Sequence, residues 1–199
     1  MKFLKPVVFG LCLVPAAWIA WAFFTGRLGV NPIREAEIQT GLWTIRFLAI
    51  ALAVTPVRQL MHWNQLAKYR RMLGLFTFFY ASVHLLMWVV GDWFFAWSAM
   101  WDEIVKHKFI LIGMLTFLIL VPLAVTSTDG WIRRLGKRWA KLHRLVYAAA
   151  ITGTIHYLWG LSSKQGATPL FPILYATTFA LLLGYRVYDR YRKQRMSRA

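Results

Sequence analysis

Six long apolar runs constrain this chain more than any other feature of its sequence. Each has about 17–20 residues, the length that an α-helix needs to cross the hydrocarbon core of a bilayer. The runs cover residues 6–24, 41–57, 72–90, 108–126, 143–160 and 169–186. The connections between them are too short to hold a soluble domain. We therefore expect a single domain over residues 1–199, an all-α integral membrane protein with a bundle of six transmembrane helices.

The first run follows two lysines, as the apolar segment of a signal peptide would. These lysines are Lys2 and Lys5, and the run itself contains tryptophan and phenylalanine. A typical signal peptide has a shorter apolar segment with fewer aromatic residues. The run is therefore predicted to be an uncleaved first helix.

The positive charge of the chain is distributed unevenly between its connections. Lys and Arg number 24 against 7 Asp and Glu, which gives a formal net charge of +17. Eighteen of the basic residues fall in the N-terminal segment, the 58–71 and 127–144 connections and the segment from Arg186 onward. The other connections hold only Arg27, Arg34, Lys106, Lys108 and Lys164. Loops rich in Lys and Arg face the cytoplasm. Both termini are therefore predicted to be cytoplasmic, and the charge indicates contact with a lipid membrane, with no nucleic acid as a partner.

Two histidines lie well inside predicted spans, where an ionisable side chain is costly and is therefore a functional candidate. His84 lies about 12 residues into the third run and His156 about 14 into the fifth, so both are roughly 18–21 Å from the inner face. Two imidazoles at one level on neighbouring helices can hold both axial positions of a haem iron. Cys12 is the only cysteine, so a covalent C-x-x-C-H haem attachment is excluded.

Small residues accompany both histidines at helical spacing. One stripe consists of Gly74, Thr77, Ala81 and His84, and the other of Ala149, Thr152 or Gly153, and His156. Such stripes let a flat porphyrin approach the backbone, but they also pack helix against helix, and a buried histidine can form an interhelical hydrogen bond instead. The shared depth of the two histidines favours haem over these alternatives. No internal repeat is evident along the sequence.

Other basic side chains suggest further sites near the two faces. His143 opens the fifth run, about 20 Å along the helix from His156, so these two cannot ligate one iron and His143 predicts a second haem. His62 and His107 fall in polar connections and are expected at the surface. Arg46 lies about five residues inside the outer end of its run, where an unpaired cation is costly. It is predicted to neutralise a haem propionate, to bind a quinone head group or to snorkel to the interface.

Four segments of the chain carry a family resemblance that extends over essentially its whole length. They are TGLWTIRFLAIALAVTPVR, YRRMLGLFTFFYASVH ending at His84, PLAVTSTDGWIRRLGKRWAKLHRLVY containing His143, and HYLW starting at His156. In combination they resemble the MsrQ (formerly YedZ) family. Its members are haem-binding membrane subunits of a bacterial protein-methionine-sulfoxide reductase system, within the wider ferric-reductase-like transmembrane group.

The resemblance implies one or two b-type haems, with iron ligands that map onto His84, His143 and His156. It also implies a bacterial inner membrane location and electron transfer to a periplasmic molybdopterin methionine-sulfoxide reductase that repairs oxidised proteins. The implied electron donor is quinol or a cytoplasmic flavin reductase, and flavin mononucleotide (FMN) and quinone are further candidate cofactors. Substrate reduction itself is then expected to need the partner rather than this chain alone.

One departure from the wider group affects the inner haem. Ferric reductases carry a second histidine on the third span, but the equivalent positions here hold Arg70 and Arg71. The ligand opposite His143 is therefore not identified, and His62 is one candidate. The wider group's cytoplasmic flavin and nicotinamide domain is missing too, so a separate electron donor is expected.

Two other functions are consistent with buried histidines in a membrane protein. One is a stand-alone ferric or quinone reductase, and the other is a transporter that carries metal ions or protons. The chain has no phosphate-binding loop, no dinucleotide-binding glycine motif and no H-E-x-x-H sequence, so nucleotide hydrolysis and nicotinamide binding are not indicated. The missing large redox module favours an electron-transfer subunit.

Overall fold

The computed structural model describes residues 4–162 and 170–196, and within these ranges the chain forms helices and no strand. The helices are α1 (Leu4–Phe24), α2 (Pro32–Leu60), α3 (Arg70–Leu86), α4 (Trp97–Lys106), α5 (Lys108–Val125), α6 (Asp129–Leu135), α7 (Lys137–Leu142), α8 (Leu145–Ser162) and α9 (Leu170–Met196). A 3₁₀ turn (Asn64–Tyr69) precedes α3, and a π-helical turn (Met87–Asp92) continues it. Lys2, Lys164 and Arg198, which count in the predicted charge distribution, lie outside the described residues.

Five helical segments in the described ranges are long and apolar enough to cross a membrane. They are α1, α2, the segment Asn64–Asp92 that contains α3, α5 and α9. Helix α8 has 18 residues and is not among these five. A multi-pass all-α membrane protein is therefore confirmed, whereas the sixth span and the cytoplasmic position of both termini stay predictions.

One surface of α5 carries exposed leucines, which indicates an apolar environment around this helix. Leu111, Leu115 and Leu118 recur at helical spacing, and the most exposed of them, Leu118, is 63% exposed. Exposure of such a leucine stripe to water, along a helix of 18 residues, would be energetically unfavourable. In a bilayer the same stripe faces hydrocarbon.

Several helix boundaries differ from those that the apolar runs predict. Helix α2 begins at Pro32, well before residue 41, because the Asn31 side chain caps it by accepting a hydrogen bond from the Arg34 N–H at 3.0 Å. Proline at the first position suits a helix start, where its missing N–H has no partner to lose. The amphipathic helix α4 and the short helices α6 and α7 lie in connections for which no helix was predicted.

Helix α2 is the centre of the bundle, with neighbours on several sides. It packs along α3 over its whole length and also contacts α1, α8 and α9. One core cluster joins α1, α2 and α3 through Cys12, Phe47, Phe76 and Tyr80. A second joins α2 to α8 and α9 through Leu48, Leu52, Ala150 and Phe179. Helix α5 packs mainly along α8, so the bundle contains two closely packed helix pairs, α2 with α3 and α5 with α8.

Polar contacts tie connections together at each end of the bundle. At what we call the basic end, formed by residues 58–71, 127–144 and the segment from Arg186, Arg71 forms an ion pair with Asp129. At the opposite end, Arg34 pairs with Glu37 at 2.6 Å and lies 3.7 Å from Asp92. The connections that the charge count groups on one side of the membrane therefore meet at one end of the bundle.

A tyrosine hydroxyl lies within the hydrogen-bond ladder of α1. Tyr80 of α3 is fully buried; its hydroxyl donates to the Cys12 carbonyl at 2.8 Å and accepts from the Ala16 N–H at 3.0 Å. Pro15, between these two residues, has no N–H, so the ladder is already interrupted at this turn. The carbonyl that loses its helical donor to this proline is that of Leu11. The Tyr80 hydroxyl binds the next carbonyl and N–H along α1, those of Cys12 and Ala16, and fastens α1 to α3.

Replacing Tyr80 with phenylalanine is expected to destabilise the protein by about 1–3 kcal/mol, because the substitution leaves the Cys12 carbonyl and the Ala16 N–H without this buried partner. Thermal unfolding in detergent measures the loss. Tyr69→Phe is the matched control, because the buried Tyr69 hydroxyl has no hydrogen-bond partner among the described residues. Equal melting temperatures for Tyr80→Phe and the parent would contradict the role of this hydroxyl.

Candidate functional site

The structure brings the two membrane-embedded histidines together. The ring of His84, near the C-terminal end of α3, and the ring of His156 on α8 have centroids 6.1 Å apart, with an angle of 73° between their planes. Both rings lie towards the end of the bundle opposite the basic end, since α3 and α8 each begin at the basic end. The equal depth predicted from residue counting therefore corresponds to a direct approach of the two side chains.

Each of these histidines is oriented by a backbone carbonyl of another helix. His84 Nδ1 lies 2.8 Å from the Glu37 carbonyl oxygen of α2, and His156 Nδ1 lies 2.7 Å from the Phe109 carbonyl oxygen of α5. A carbonyl oxygen can only accept, so in each pair Nδ1–H donates. The neutral imidazole then carries its free lone pair on Nε2, the atom that ligates metals.

The geometry of this pair fits an iron held between two imidazoles. Two rings that share one metal ion through bonds of about 2.0 Å hold their centres about 6 Å apart, close to the 6.1 Å observed. In the described part of the chain no group of three or more His, Cys, Asp or Glu side chains could hold a metal ion. Haem iron takes four ligands from its porphyrin, so two histidines complete its coordination.

Helices α3 and α8 make few direct contacts with each other. These two helices are not among the closely packed pairs in the described ranges, where α3 packs on α2 and α5, and α8 packs on α5, α2 and α9. The predicted stripes meet at Ala81 and Ala149, which share one buried cluster with Leu120. Thr152 instead turns towards α5, where its hydroxyl accepts a hydrogen bond from Thr116 at 2.8 Å.

Two glycines that sequence analysis did not single out lie against the histidine rings. A Cβ atom added to Gly41 of α2 would lie 3.1 Å from His84 Nδ1, and one added to Gly113 of α5 would lie 2.7 Å from His156 Nδ1. Each glycine follows the residue with the accepting carbonyl by four positions, and each histidine follows that residue by 47. The same contact pattern, with the same spacing along the chain, therefore occurs twice.

His143 lies apart from this pair, at the basic end where α8 begins. Its ring stacks on Trp139 with centroids 3.9 Å apart, its Nδ1 lies 3.2 Å from the Trp139 carbonyl oxygen, and its Nε2 lies 3.4 Å from Ser127 Oγ. It lines a cavity of about 330 Å³ between α2, α3, α5 and α8. The prediction that His143 belongs to a different site from His156 agrees with this placement.

Three arginines line the same cavity, namely Arg58, Arg70 and Arg71. Arg71 is engaged by Asp129, and its guanidinium lowers the pKa of that carboxyl by hydrogen bonding and charge. Asp129 is therefore ionised at neutral pH, and the ion pair is lost only as the pH falls through this lowered pKa. Arg58 and Arg70 form no ion pair with other described residues, so the cavity wall is cationic and suits an anionic group.

The remaining candidate residues are placed as follows. His62 is exposed at the end of α2, with a φ of +54°, and is not among the described residues that line the cavity of His143. His107 is also exposed, with Nε2 3.3 Å from Glu103. Arg46 is half-buried; its Nε donates to the Tyr175 hydroxyl at 3.3 Å, and its guanidinium lies 4.7 Å from the centre of the Trp43 ring. Arg46 therefore has partners on α2 and α9.

The model of the ferric reductase like transmembrane component family matches residues 40–154 of this chain. Curated relatives named "Protein-methionine-sulfoxide reductase heme-binding subunit MsrQ" are similar over nearly the whole chain. One from Rhodospirillum rubrum is 46% identical, covering 96% of this chain and 91% of its own length. Another, from Xanthomonas campestris pv. campestris (strain B100), is 44% identical, covering 94% of this chain and 86% of its own length. This chain belongs to the MsrQ family.

Membership of the MsrQ family is supported by relatives from several bacterial groups. A third, from Herminiimonas arsenicoxydans, is 42% identical over 100% of this chain and 91% of its own. The ferric-reductase match covers α3, α5 and most of α2 and α8, and it includes His84 and His143. No solved structure matches the chain. The family resemblance found in the sequence is therefore confirmed.

Proposed function

We propose that this chain is a haem-bearing electron-transfer subunit of a methionine-sulfoxide reductase system. The observation that carries the proposal is the His84–His156 pair, with ring centres 6.1 Å apart and each Nδ1 bound to a backbone carbonyl. The names of the relatives, which state a haem-binding subunit of this reductase, support the same assignment. A b-type haem bound here would supply a one-electron carrier inside the membrane.

The residues around the pair are suited to hold such a group without a covalent bond. The hydrogen bonds at Nδ1 leave Nε2 of each imidazole free as a ligand, fix the tautomer and raise the basicity of each ring. The small side chains of Ala81 and Ala149 lie in one buried cluster between the helices that carry the pair. Burial inside a bundle with lipid around it keeps water away, which limits the reorganisation that accompanies a change in iron charge.

The cavity of His143 is proposed as the site where electrons enter from the cytoplasmic side. Arg58 and Arg70 offer charge to propionates or to a phosphate, and Trp139 offers a flat aromatic surface. A second haem with His143 as one ligand, or FMN, fits this donor set. The donor is either quinol or a cytoplasmic flavin reductase, and the basic end would attract an acidic donor protein.

Electrons are proposed to leave from the opposite end to a periplasmic molybdopterin methionine-sulfoxide reductase. The His84–His156 pair lies nearer to that end, which shortens the distance to an external partner. Arg46 is proposed to support this outer site indirectly, through Tyr175 and Trp43, or to bind a quinone head group. The proposal includes an inner-membrane location, which the family resemblance implies, and cytoplasmic termini, which the positive-inside charge pattern predicts.

A stand-alone reductase is the second candidate, and it would use the same two sites. A metal or proton transporter is the third candidate, and the relatives, whose names state a haem-binding subunit, favour the electron-transfer function over it. Haem bands in the visible spectrum of the purified protein would separate the transporter from the other two functions.

His84→Ala and His156→Ala are each expected to lose the low-spin haem spectrum of the outer site, because either substitution removes one of its two axial ligands. Haem content and visible spectra of the purified variants measure this. His107→Ala is the control for loss of a surface imidazole, since His107 lies beside Glu103 of α4 and the Phe109 ring and not beside the pair. Full haem content and unchanged spectra in both folded variants would show that the pair does not share a haem.

His143→Ala is expected to slow donor-driven reduction of the outer haem several-fold while leaving that haem in place. The reason is that His143 lines the basic-end cavity and not the outer pair. Stopped-flow reduction by a cytoplasmic flavin reductase, compared with reduction by dithionite, separates electron entry from haem loss. Normal donor-driven reduction in His143→Ala would make His143 a structural residue.

A further inference from the structure

We infer that Gly41 and Gly113 are positioning residues that open a backbone carbonyl to each axial histidine. This inference rests on the proposed haem site. It concerns how the two rings are held, and it arises from a contact pattern that occurs twice in the molecule, once between α2 and α3 and once between α5 and α8.

A backbone carbonyl on a helix surface can accept two hydrogen bonds. In an α-helix the carbonyl of residue i accepts one from the N–H of residue i+4, and its second lone pair stays free for another donor. The Cβ of residue i+4 points towards the helix N-terminus and covers the turn that holds this carbonyl. An outside donor can reach the second lone pair only if that Cβ is out of the way.

Glycine at position i+4 removes this obstacle in both helix pairs. The carbonyls that accept from the histidines belong to Glu37 and Phe109, and the glycines four residues later are Gly41 and Gly113. The atoms nearest to a Cβ built on Gly41 are Cε1 and Nδ1 of His84, both at 3.1 Å. On Gly113 they are Nδ1 and Cε1 of His156, at 2.7 and 2.8 Å. In each case the ring edge that makes the hydrogen bond occupies the place of the missing methyl group.

This contact differs from ordinary glycine packing between helices. A glycine used for close helix packing would bring backbone, or aliphatic side chains, near its Cα. Gly153 is an example, since a Cβ there would meet the Thr116 methyl at an ordinary 3.5 Å. At Gly41 and Gly113 the three nearest atoms all belong to the imidazole, so the small residue serves the ring and its hydrogen bond.

The two positions differ in how much room they leave. A Cβ on Gly41 could be accommodated if His84 moved by a few tenths of an ångström, whereas one on Gly113 falls well inside contact distance and forces His156 to move. Moving either ring weakens its Nδ1–H bond to the carbonyl. A less basic imidazole stabilises ferric iron less, so loss of this bond raises the midpoint potential of the haem.

The test uses Gly113→Ala and Gly41→Ala in the full-length protein, with Gly10→Ala and Gly184→Ala as controls in α1 and α9, where an added Cβ meets no atom within 4 Å. Gly113→Ala is expected to lower haem affinity roughly 10-fold, in the range found when a second-sphere partner of a ligand is lost. Gly41→Ala is expected to keep its haem at a raised midpoint potential. Both controls are expected to match the parent in haem content and potential.

The outcomes separate this inference from the proposed function. If the parent protein binds no haem with two histidine ligands, the proposed function itself is wrong. If His84→Ala and His156→Ala lose the haem while folded Gly113→Ala keeps the parent's haem content and midpoint, only the glycine inference is overturned. If Gly113→Ala fails to fold in detergent, the haem midpoint potential of Gly41→Ala is the test. A potential equal to that of the parent protein overturns the glycine inference.

Discussion

Inside a membrane, a histidine ring must satisfy its N–H within the protein, because no water is available to accept it. In this chain two backbone carbonyls meet that requirement, one on α2 for His84 and one on α5 for His156. The rest of the site depends on these two hydrogen bonds. They select the tautomer, leave each Nε2 free as a ligand, and hold the two rings at a separation that fits a metal ion between them.

The two hydrogen bonds also explain the arrangement of the bundle. Each histidine is carried by one helix and oriented by that helix's closest partner, so α2 with α3 and α5 with α8 act as equivalent halves. The halves meet at the ring pair and at Ala81 and Ala149. At the basic end the equivalence breaks down, since His143 from one half faces a wall with Arg70 and Arg71 from the other. One end is thus suited to two axial ligands, and the other to an anionic group.

Sequence reasoning reached the membrane class, the helical composition and the pairing of His84 with His156, because each depends on run length and residue counting along straight helices. It missed Gly41 and Gly113, whose contacts join segments that are far apart in the chain. The sequence also could not predict the partner of Arg46. That partner, Tyr175, lies on α9, and the position of α9 along α2 is set by tertiary packing. Helix α4 was missed because charged residues interrupt its apolar ones, so its 10 residues form no apolar run of spanning length. The roles of His143 and Arg46 stay predictions.

The central claim is that electrons cross this chain through the haem of the His84–His156 pair to a methionine-sulfoxide reductase outside the membrane. The most direct measurement is reoxidation of the reduced haem in membrane vesicles, followed by its visible absorption under anaerobic conditions. We predict fast reoxidation only when the periplasmic reductase subunit and a methionine sulfoxide are both present. Reoxidation by the sulfoxide alone, or a haem that stays reduced with both present, would contradict the account.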